Sequence, residues 1–211
     1  MSKVIIWIRH AHKEYNNSKG PPNSYQHDSP LASNQEENII NKGKELINKY
    51  GFPDRCIVSP FKRTRDTAKL LISNTNIPIE ICTNISEYLG NQRSDISCID
   101  PSTAIHSPPL NENFNDLVSR CSIHLSKVGA YDDIIKSEII WIVTHGIVIK
   151  TISKQLNRIY GGLKINDINE LDAFILTKNY SGSRLIYHNN DNFPLQLTFK
   201  SSLEIDNEQI D

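Results

Sequence analysis

The feature that most constrains this chain is an apolar run near its start that ends abruptly in basic side chains. Residues 4–8 (Val-Ile-Ile-Trp-Ile) are continuously apolar, and Arg9, His10 and His12 follow, with Ala11 between the two histidines. A continuous rather than alternating run is typical of a strand that is buried on both faces, as in a parallel sheet covered by helices. Because ligands of such sheets bind outside the carboxyl ends of the strands, the run predicts a functional site directly after it.

Strands and helices alternate along the rest of the chain. Further strands are predicted over residues 54–59, 79–82, 138–143, 171–177 and 183–188, and helices over 34–50, 62–72, 114–128 and 147–156. The last two strands are separated by a short turn and predict a hairpin. The whole pattern predicts an α/β fold, a three-layer α/β/α sandwich around a mainly parallel sheet with a late antiparallel hairpin.

The length of 211 residues suits one large α/β domain rather than two. Residues 1–200 are expected to form this domain, and residues 201–211 a loose C-terminal tail. At the start of the first helix, Ser33 and Glu36 have the spacing of a capping box, and Gly51 marks the end of that helix.

Composition excludes several classes of function. The formal net charge of −1 gives no global field that would recruit nucleic acid or an anionic membrane, and no apolar run approaches the length of a membrane span. The four cysteines are scattered, without a Cys-x-x-Cys pair, which argues against a disulfide framework and a structural zinc site and favours a reducing compartment. No signal-peptide pattern is present near the start of the sequence, so the expected location is the cytoplasm.

Polar groups follow four of the predicted strands. They are Arg9-His10 after the first strand, the segment 59–68 with Arg63 after the second, Glu87 after the third, and Thr144-His145-Gly146 after the fourth. Two of these segments also open a helix, whose N-terminus favours anions. Such a set could hold a tetrahedral dianion, attack it and protonate a leaving group.

Each basic residue also has a purely structural interpretation. Burying Arg9 is costly unless it is paired with an anion, so it predicts either an internal salt bridge or a bound phosphate or carboxylate. A lone histidine near a strand end is more often a hydrogen-bonded structural residue than a catalyst. We expect this of five histidines: His12, His27, His106, His124 and His188.

The order of these motifs resembles that of the histidine phosphatase superfamily, the phosphoglycerate-mutase-like proteins. Arg9-His10-Ala11 stands at the family's Arg-His-Gly, residues 59–68 match its Ser-Pro-x-x-Arg-x-x-x-Thr-Ala motif, Glu87 matches its acidic residue, and His145-Gly146 matches its late His-Gly. The match covers nearly the whole chain in the right order. The segment Asp28-Ser29-Pro30-Leu31 is similar to a segment of the phosphatase-type branch.

The resemblance implies a role for each matching residue. It makes His10 the nucleophile, Arg9 and Arg63 the phosphate clamp, His145 the second histidine and Glu87 the proton donor. It also places Lys13 and Asn16 among the phosphate-binding residues.

The same resemblance implies a metal-independent hydrolysis of phosphomonoesters through a phosphohistidine on His10, with no cofactor. In this reaction His10 is neutral, a backbone carbonyl orients its other ring nitrogen, and a protonated His145 helps to hold the phosphate. The expected substrate is a phosphorylated small molecule or a phosphoprotein, with no nucleic acid or membrane as partner. The oligomeric state stays open, with a homodimer as one option.

Three alternatives stay open. A metal-dependent hydrolase would use His10, His12 and His145 as ligands, but it leaves Arg9 and Arg63 unexplained. A phosphoglycerate-type mutase is disfavoured because a Tyr-Asn pair stands where mutases usually carry Trp-Asn, and because the stretch after Glu87 is short. A non-catalytic phosphate-binding relative is disfavoured because all the catalytic residue types are present. A cysteine phosphatase is excluded by spacing.

One residue departs from the family motif. Ala11 replaces a glycine, and a methyl group there would be strained if the backbone needed a positive φ.

Overall fold

The computed structural model describes residues 2–14, 28–73, 75–89, 112–132, 136–161, 165, 167–188 and, as backbone, 195–200. Its strands are β1 (Ser2–Arg9), β2 (Arg55–Val58), β3 (Ile79–Ile81), β4 (Glu138–Thr144), β5 (Ala173–Asn179), β6 (Gly182–His188) and β7 (Leu195–Lys200). Its helices are α1 (Glu36–Tyr50), α2 (Lys62–Leu71), α3 (Phe114–Lys127) and α4 (Gly146–Tyr160), with a short 3₁₀ turn at Thr83–Ile85. None of the helices in these ranges has the length and apolar character needed to cross a membrane.

The strands form one sheet in the order β3-β2-β4-β1-β5-β6-β7. The first four strands in this order are parallel to one another, and β5, β6 and β7 continue the sheet in antiparallel fashion. The predicted α/β class, with its parallel sheet and late hairpin, is confirmed. β7 lies outside the predicted strands, although residues 195–199 alternate between apolar and polar side chains.

Helices cover both faces of the sheet because β1 buries alternate side chains on opposite sides. Ile5 and Trp7 pack in a core with α3 and α4, whereas Ile6 and Ile8 pack in a second core with α1 and α2. All four side chains are completely buried. Each such burial contributes roughly 1.5–3 kcal/mol, so the central strands are held firmly between two helical layers. The three-layer sandwich predicted from the sequence is therefore present.

The first helix begins later than predicted. It starts at Glu36 with Gln35 as its N-cap, and no side chain caps it, so the capping box predicted from Ser33 is wrong. The physical reason is tertiary: the Ala32 N–H donates to His12 O at 3.0 Å, which ties this segment to the end of β1, and Gln35 N–H closes a turn back to Ala32 O. The predicted end at Gly51 is confirmed by a φ of 97° and by its N–H bond to Ile47 O.

The domain limits stay predictions. Residues 201–211 lie outside the described ranges, as do Asn16, the Tyr-Asn pair of which it is part, His27, His106 and most of the stretch that follows Glu87.

Candidate active site

Parallel strands bring the predicted polar groups to one edge of the sheet. Arg9 lies opposite Thr144 in the ladder between β1 and β4, and the His10 N–H donates to Thr144 O at 2.9 Å. The histidines that follow the two strands are therefore neighbours, with the ring centres of His10 and His145 5.3 Å apart in an edge-to-face arrangement. Both rings are almost completely buried. The expectation that two strand ends deliver histidines to the same place is correct.

His10 has the geometry of an oriented, neutral imidazole. Its Nδ1 lies 2.7 Å from Ala11 O. Because a carbonyl can only accept, Nδ1 must carry the hydrogen, and the lone pair is left on Nε2. Burial, together with the neighbouring charge of Arg63, holds the pKa of His10 well below its usual value. The imidazole is therefore uncharged near neutral pH and available as a nucleophile.

Arg63 occupies the centre of the cluster. It is the second residue of α2 and is 3% exposed. Its Nε donates to His10 Nε2 at 3.3 Å, its Nη2 donates to Glu87 Oε2 at 3.1 Å, and the same Nη2 lies 3.3 Å from His145 Nδ1. The face of Phe61 supports the guanidinium at 4.6 Å. One cation thus contacts the three groups that the sequence assigned to the chemistry.

Glu87 and His145 form a hydrogen-bonded pair. Glu87 Oε2 lies 3.0 Å from His145 Nδ1, and the other ring nitrogen, Nε2, lies 2.8 Å from Ser59 Oγ. Since a carboxylate only accepts, His145 donates from Nδ1 and accepts the Ser59 hydroxyl at Nε2. Ser59 is thus a positioning residue to which the sequence analysis assigned no role, although it opens the matched motif.

The charges of this pair are set by burial and by the neighbouring groups. Burial opposes ionisation of Glu87, but the neighbouring His145 and Arg63 outweigh it and hold the pKa of Glu87 far below its usual value. Burial lowers the pKa of His145 to about 4, although Glu87 works in the opposite direction. At neutral pH Glu87 is therefore ionised and His145 is neutral in this arrangement. A protonated His145 that holds a phosphate stays a prediction.

Arg9 makes the internal contacts that were the alternative to phosphate binding. Its Nη2 donates to Glu170 Oε1 at 3.0 Å, and its Nη1 donates to the carbonyl of Ile168. The side chain lies against Gly146, where a Cβ would come 3.5 Å from its Cδ and Nε. Its position at the strand end is as predicted, and its role as a phosphate clamp stays a prediction.

Lys13 lies close to the same charges. Burial and the cations Arg63 and Arg9 lower its pKa, while Glu87 and Glu170 work in the opposite direction. Its role as a phosphate ligand stays a prediction. The other predicted phosphate ligand, Asn16, lies outside the described residues.

Asp28 is a site residue that the sequence analysis left without a role. It is 2% exposed, its Oδ1 accepts the Lys62 N–H at 2.5 Å, and it lies 3.9 Å from Arg63 Nη1. The segment reaches this place because Lys13 and Leu31 form an antiparallel bridge. Asp28 therefore caps the start of α2 and holds Arg63 in place. Its signal in the sequence was the Asp-Ser-Pro-Leu segment.

Ala11 fits its position without backbone strain. Among the described residues, Leu171 is the one non-glycine with a positive φ, so Ala11 does not need the glycine conformation. Its methyl group is fully buried in the core beneath α1 and α2, and its N–H donates to Thr67 Oγ1 at 3.1 Å. The departure from the family motif therefore leaves the geometry of the site intact.

A metal site at this place would have to exclude Arg63. Ligand atoms of His10, Glu87 and His145 lie within 4.8 Å of one another, and they could coordinate a divalent ion by type and spacing. The Arg63 guanidinium, however, contacts all three, and its charge would repel a dication. His12, which the metal alternative needs, is 45% exposed and lies 4.0 Å from Glu170 instead.

The fold and the cluster at its strand ends define a class of α/β proteins with a buried histidine pair around an arginine. The family profile of the histidine phosphatase superfamily (branch 1) matches residues 5–194. The chain belongs to this superfamily, and the resemblance recognised in its sequence motifs is confirmed.

Solved structures show the same fold. A mycobacterial glucosyl-3-phosphoglycerate phosphatase has 17% sequence identity and a TM-score of 0.60, over 85% of this chain and 92% of that one. A putative α-ribazole-5′-P phosphatase from Escherichia coli K-12 has 18% identity and a TM-score of 0.61, over 88% and 96%. The protein histidine phosphatase SixA, complexed with tungstate, has 15% identity and a TM-score of 0.55, over 92% and 96%. A comparison with curated protein sequences finds no match.

Proposed function

We propose that this protein is a phosphatase that hydrolyses phosphomonoesters, without a metal ion, through a phosphohistidine intermediate on His10. The observation that carries the proposal is the neutral, oriented imidazole of His10 with Arg63 3.3 Å from its Nε2. Glu87, whose carboxyl group can both give and take a proton, contacts the same arginine at 3.1 Å. Nucleophile, anion partner and acid–base group thus lie together.

In the first step the Nε2 lone pair of His10 forms a bond to phosphorus while the bond from phosphorus to the ester oxygen breaks. The electron pair goes to that oxygen, which takes a proton from the Glu87 carboxyl. In the second step water attacks phosphorus and gives a proton back to Glu87, and the phosphorus–nitrogen bond breaks to return the pair to Nε2. Arg63, with Arg9 and Lys13, neutralises the phosphoryl oxygens as charge develops on them.

The proton for the first step enters with the substrate. Before substrate binds, Glu87 is ionised and His145 is neutral at neutral pH, so the pair has no proton to give to a leaving group. A phosphate monoanion supplies one, and the negative charge of the bound phosphoryl group raises the pKa of both residues. Glu87 and His145 then hold this proton between them.

This protonation scheme predicts an acidic pH optimum. The second pKa of a phosphomonoester is about 6, so kcat/KM for phenyl phosphate is expected to fall ~tenfold for each pH unit above it. At low pH the rate falls only when His10 becomes protonated. Because the pKa of His10 is lowered, this fall in rate is expected well below pH 6.5. The measurement is kcat/KM from pH 4 to 9 at constant ionic strength. A rate that keeps rising to pH 8 would contradict the scheme.

Hydrolysis is expected to survive metal chelation. Arg63 supplies the positive charge that a metal would otherwise provide, so p-nitrophenyl phosphate should be cleaved equally well, within ~twofold, in EDTA and in buffer with added Zn²⁺ or Mg²⁺. Loss of activity in EDTA that an added metal restores would favour the metal-dependent alternative. Release of inorganic phosphate, rather than transfer to a second hydroxyl, separates hydrolysis from the mutase alternative. No turnover at all would favour the phosphate-binding relative.

The proposed substrate is a phosphorylated small molecule or a phosphoprotein. The similar structures include a glucosyl-3-phosphoglycerate phosphatase and a protein histidine phosphatase, which supports a phosphatase activity. A screen of phosphorylated metabolites and phosphopeptides would identify the substrate. We propose the cytoplasm as its location, with free Cys56, Cys82 and Cys121 as support, and neither nucleic acid nor membrane as partner.

A further inference from the structure

A buried ion pair lies directly behind Glu87. Arg120 of α3 and Glu112, just before that helix, are 6% and 4% exposed. The pair is bidentate: Arg120 Nε donates to Glu112 Oε2 at 2.8 Å, and Nη2 donates to Oε1 at 2.6 Å. A buried pair of this kind is weak evidence for stability, since apolar side chains of similar volume often serve as well. The role of this ion pair is therefore better judged from the other hydrogen bonds of Arg120.

The remaining N–H groups of Arg120 bind the backbone that carries Glu87. Nη1 donates to Asn84 O at 2.9 Å and to Ser86 O at 2.8 Å, and Nη2 reaches Glu87 O at 3.5 Å. These carbonyls belong to the segment that leads to Glu87, whose carboxylate contacts Arg63 and His145. One guanidinium thus binds three backbone carbonyls of the segment 84–87.

A second hydrogen bond ties this segment to β4. Thr144, at the end of β4, donates its hydroxyl to Ile85 O at 2.6 Å. Thr144 is followed directly by His145, the hydrogen-bond partner of Glu87. Between Thr144 and Arg120, the backbone at Ile85 and Ser86 is tied to the same sheet edge that presents the histidine.

From this arrangement we infer that Arg120, held in place by Glu112, is a positioning residue that keeps the Glu87 carboxyl in line with His145 and Arg63. The inference rests on the proposed function, in which Glu87 transfers the proton. It adds α3, an element that contributes no side chain to the cluster itself, to the machinery of the reaction. A displacement of about 1 Å at a reacting group can cost ~100-fold in rate, so the position of this backbone matters.

The inference predicts that substitutions of Arg120 and Glu112 act through the leaving group. In Arg120→Lys and Glu112→Gln we expect kcat/KM for phenyl phosphate, whose leaving group needs a proton, to fall ~10- to 100-fold. For p-nitrophenyl phosphate, whose leaving group departs without one, the loss should be at least ~fivefold smaller. A fall in the folded fraction alone would lower both rates equally.

Two controls separate positioning from a structural role. Arg55→Lys alters another bidentate pair, with Glu80 at 2.8 Å, that lies away from the cluster, and both rates should stay within ~twofold of wild type. If Arg120 acts through Glu87, adding Arg120→Lys to Glu87→Gln should cost less than ~threefold further on phenyl phosphate.

Equal losses on both esters, or a full additional loss in the Glu87→Gln background, would overturn the positioning role. Glu112→Gln preserves the shape of the side chain, and it decides the matter by the same criteria if Arg120→Lys does not fold. Wild-type protein that cleaves neither ester, or whose activity does not depend on His10, would overturn the proposed function itself. Wild-type activity that depends on His10 leaves only the role of Arg120 in question.

Discussion

Replacing His10 by alanine is expected to lower kcat/KM for p-nitrophenyl phosphate by a factor of ~10⁴ or more, as removal of a nucleophile does in other covalent enzymes. The imidazole is the one group in the cluster whose lone pair is directed by a backbone hydrogen bond and left unprotonated by its surroundings. Without it Arg63 can still bind a phosphate, but no bond from nitrogen to phosphorus can form.

The matched control for this change is His12→Ala. His12 lies two positions along the same segment, is 45% exposed and faces Glu170 rather than the cluster. Its replacement should leave kcat/KM within about threefold of wild type, as is usual for exposed side chains away from reacting groups.

Trapping the intermediate tests the same step directly. Quenching wild-type protein during turnover with denaturant at alkaline pH should give a phosphorylated protein whose bond survives alkali and is labile in acid, and His10→Ala should give none. Full activity of His10→Ala, or labelling that persists in it, would refute the covalent role of this residue.

The second large effect is expected from Glu87→Gln. Glutamine keeps the shape of the side chain but cannot transfer the proton, so kcat/KM for phenyl phosphate should fall ~10²- to 10⁴-fold. The loss on p-nitrophenyl phosphate should be far smaller, because p-nitrophenolate leaves without protonation. The ratio kcat/KM is the right quantity, since it covers only the steps up to the first irreversible one, the formation of the phosphohistidine.

Glu80→Gln is the control for the loss of a carboxylate. Glu80 lies on the edge strand β3, where it pairs with Arg55 away from the cluster, and both rates should stay within ~twofold of wild type. Equal losses of Glu87→Gln on the two esters would show that Glu87 is needed for the structure of the site rather than as the acid.

Several parts of this fold could be read directly from the sequence. The continuous apolar run of β1 can be buried only in a sheet that helices cover on both faces, and this predicts the three-layer arrangement. His10, Arg63, Glu87 and His145 could be placed together because each follows a strand, and parallel strands end at one edge. The motif order identified the family because its residues recur at matching places along nearly the whole chain.

Other features followed from contacts between segments that are distant in sequence. Ser33 and Glu36 have the local pattern of a capping box, but the bond between Ala32 and His12 moves the start of α1. The sequence around Arg9 allowed two partners for this side chain, an internal carboxylate or a bound phosphate. Only the fold shows that Glu170, which is distant in sequence, lies against Arg9 as its partner. Such partners carry no local signal.

The sequence alone therefore determined the class of the fold, the family and which side chains gather at the site, because burial patterns and strand ends are local properties of the chain. Only the tertiary structure decided the charge of each group. Burial and the charge of Arg63 make His10 and His145 neutral, whereas the contacts with His145 and Arg63 keep Glu87 ionised against the effect of burial. These effects depend on distances that the spacing of residues in the sequence does not specify. The support of Glu87 by Arg120, across 33 positions of sequence, depends on the same packing.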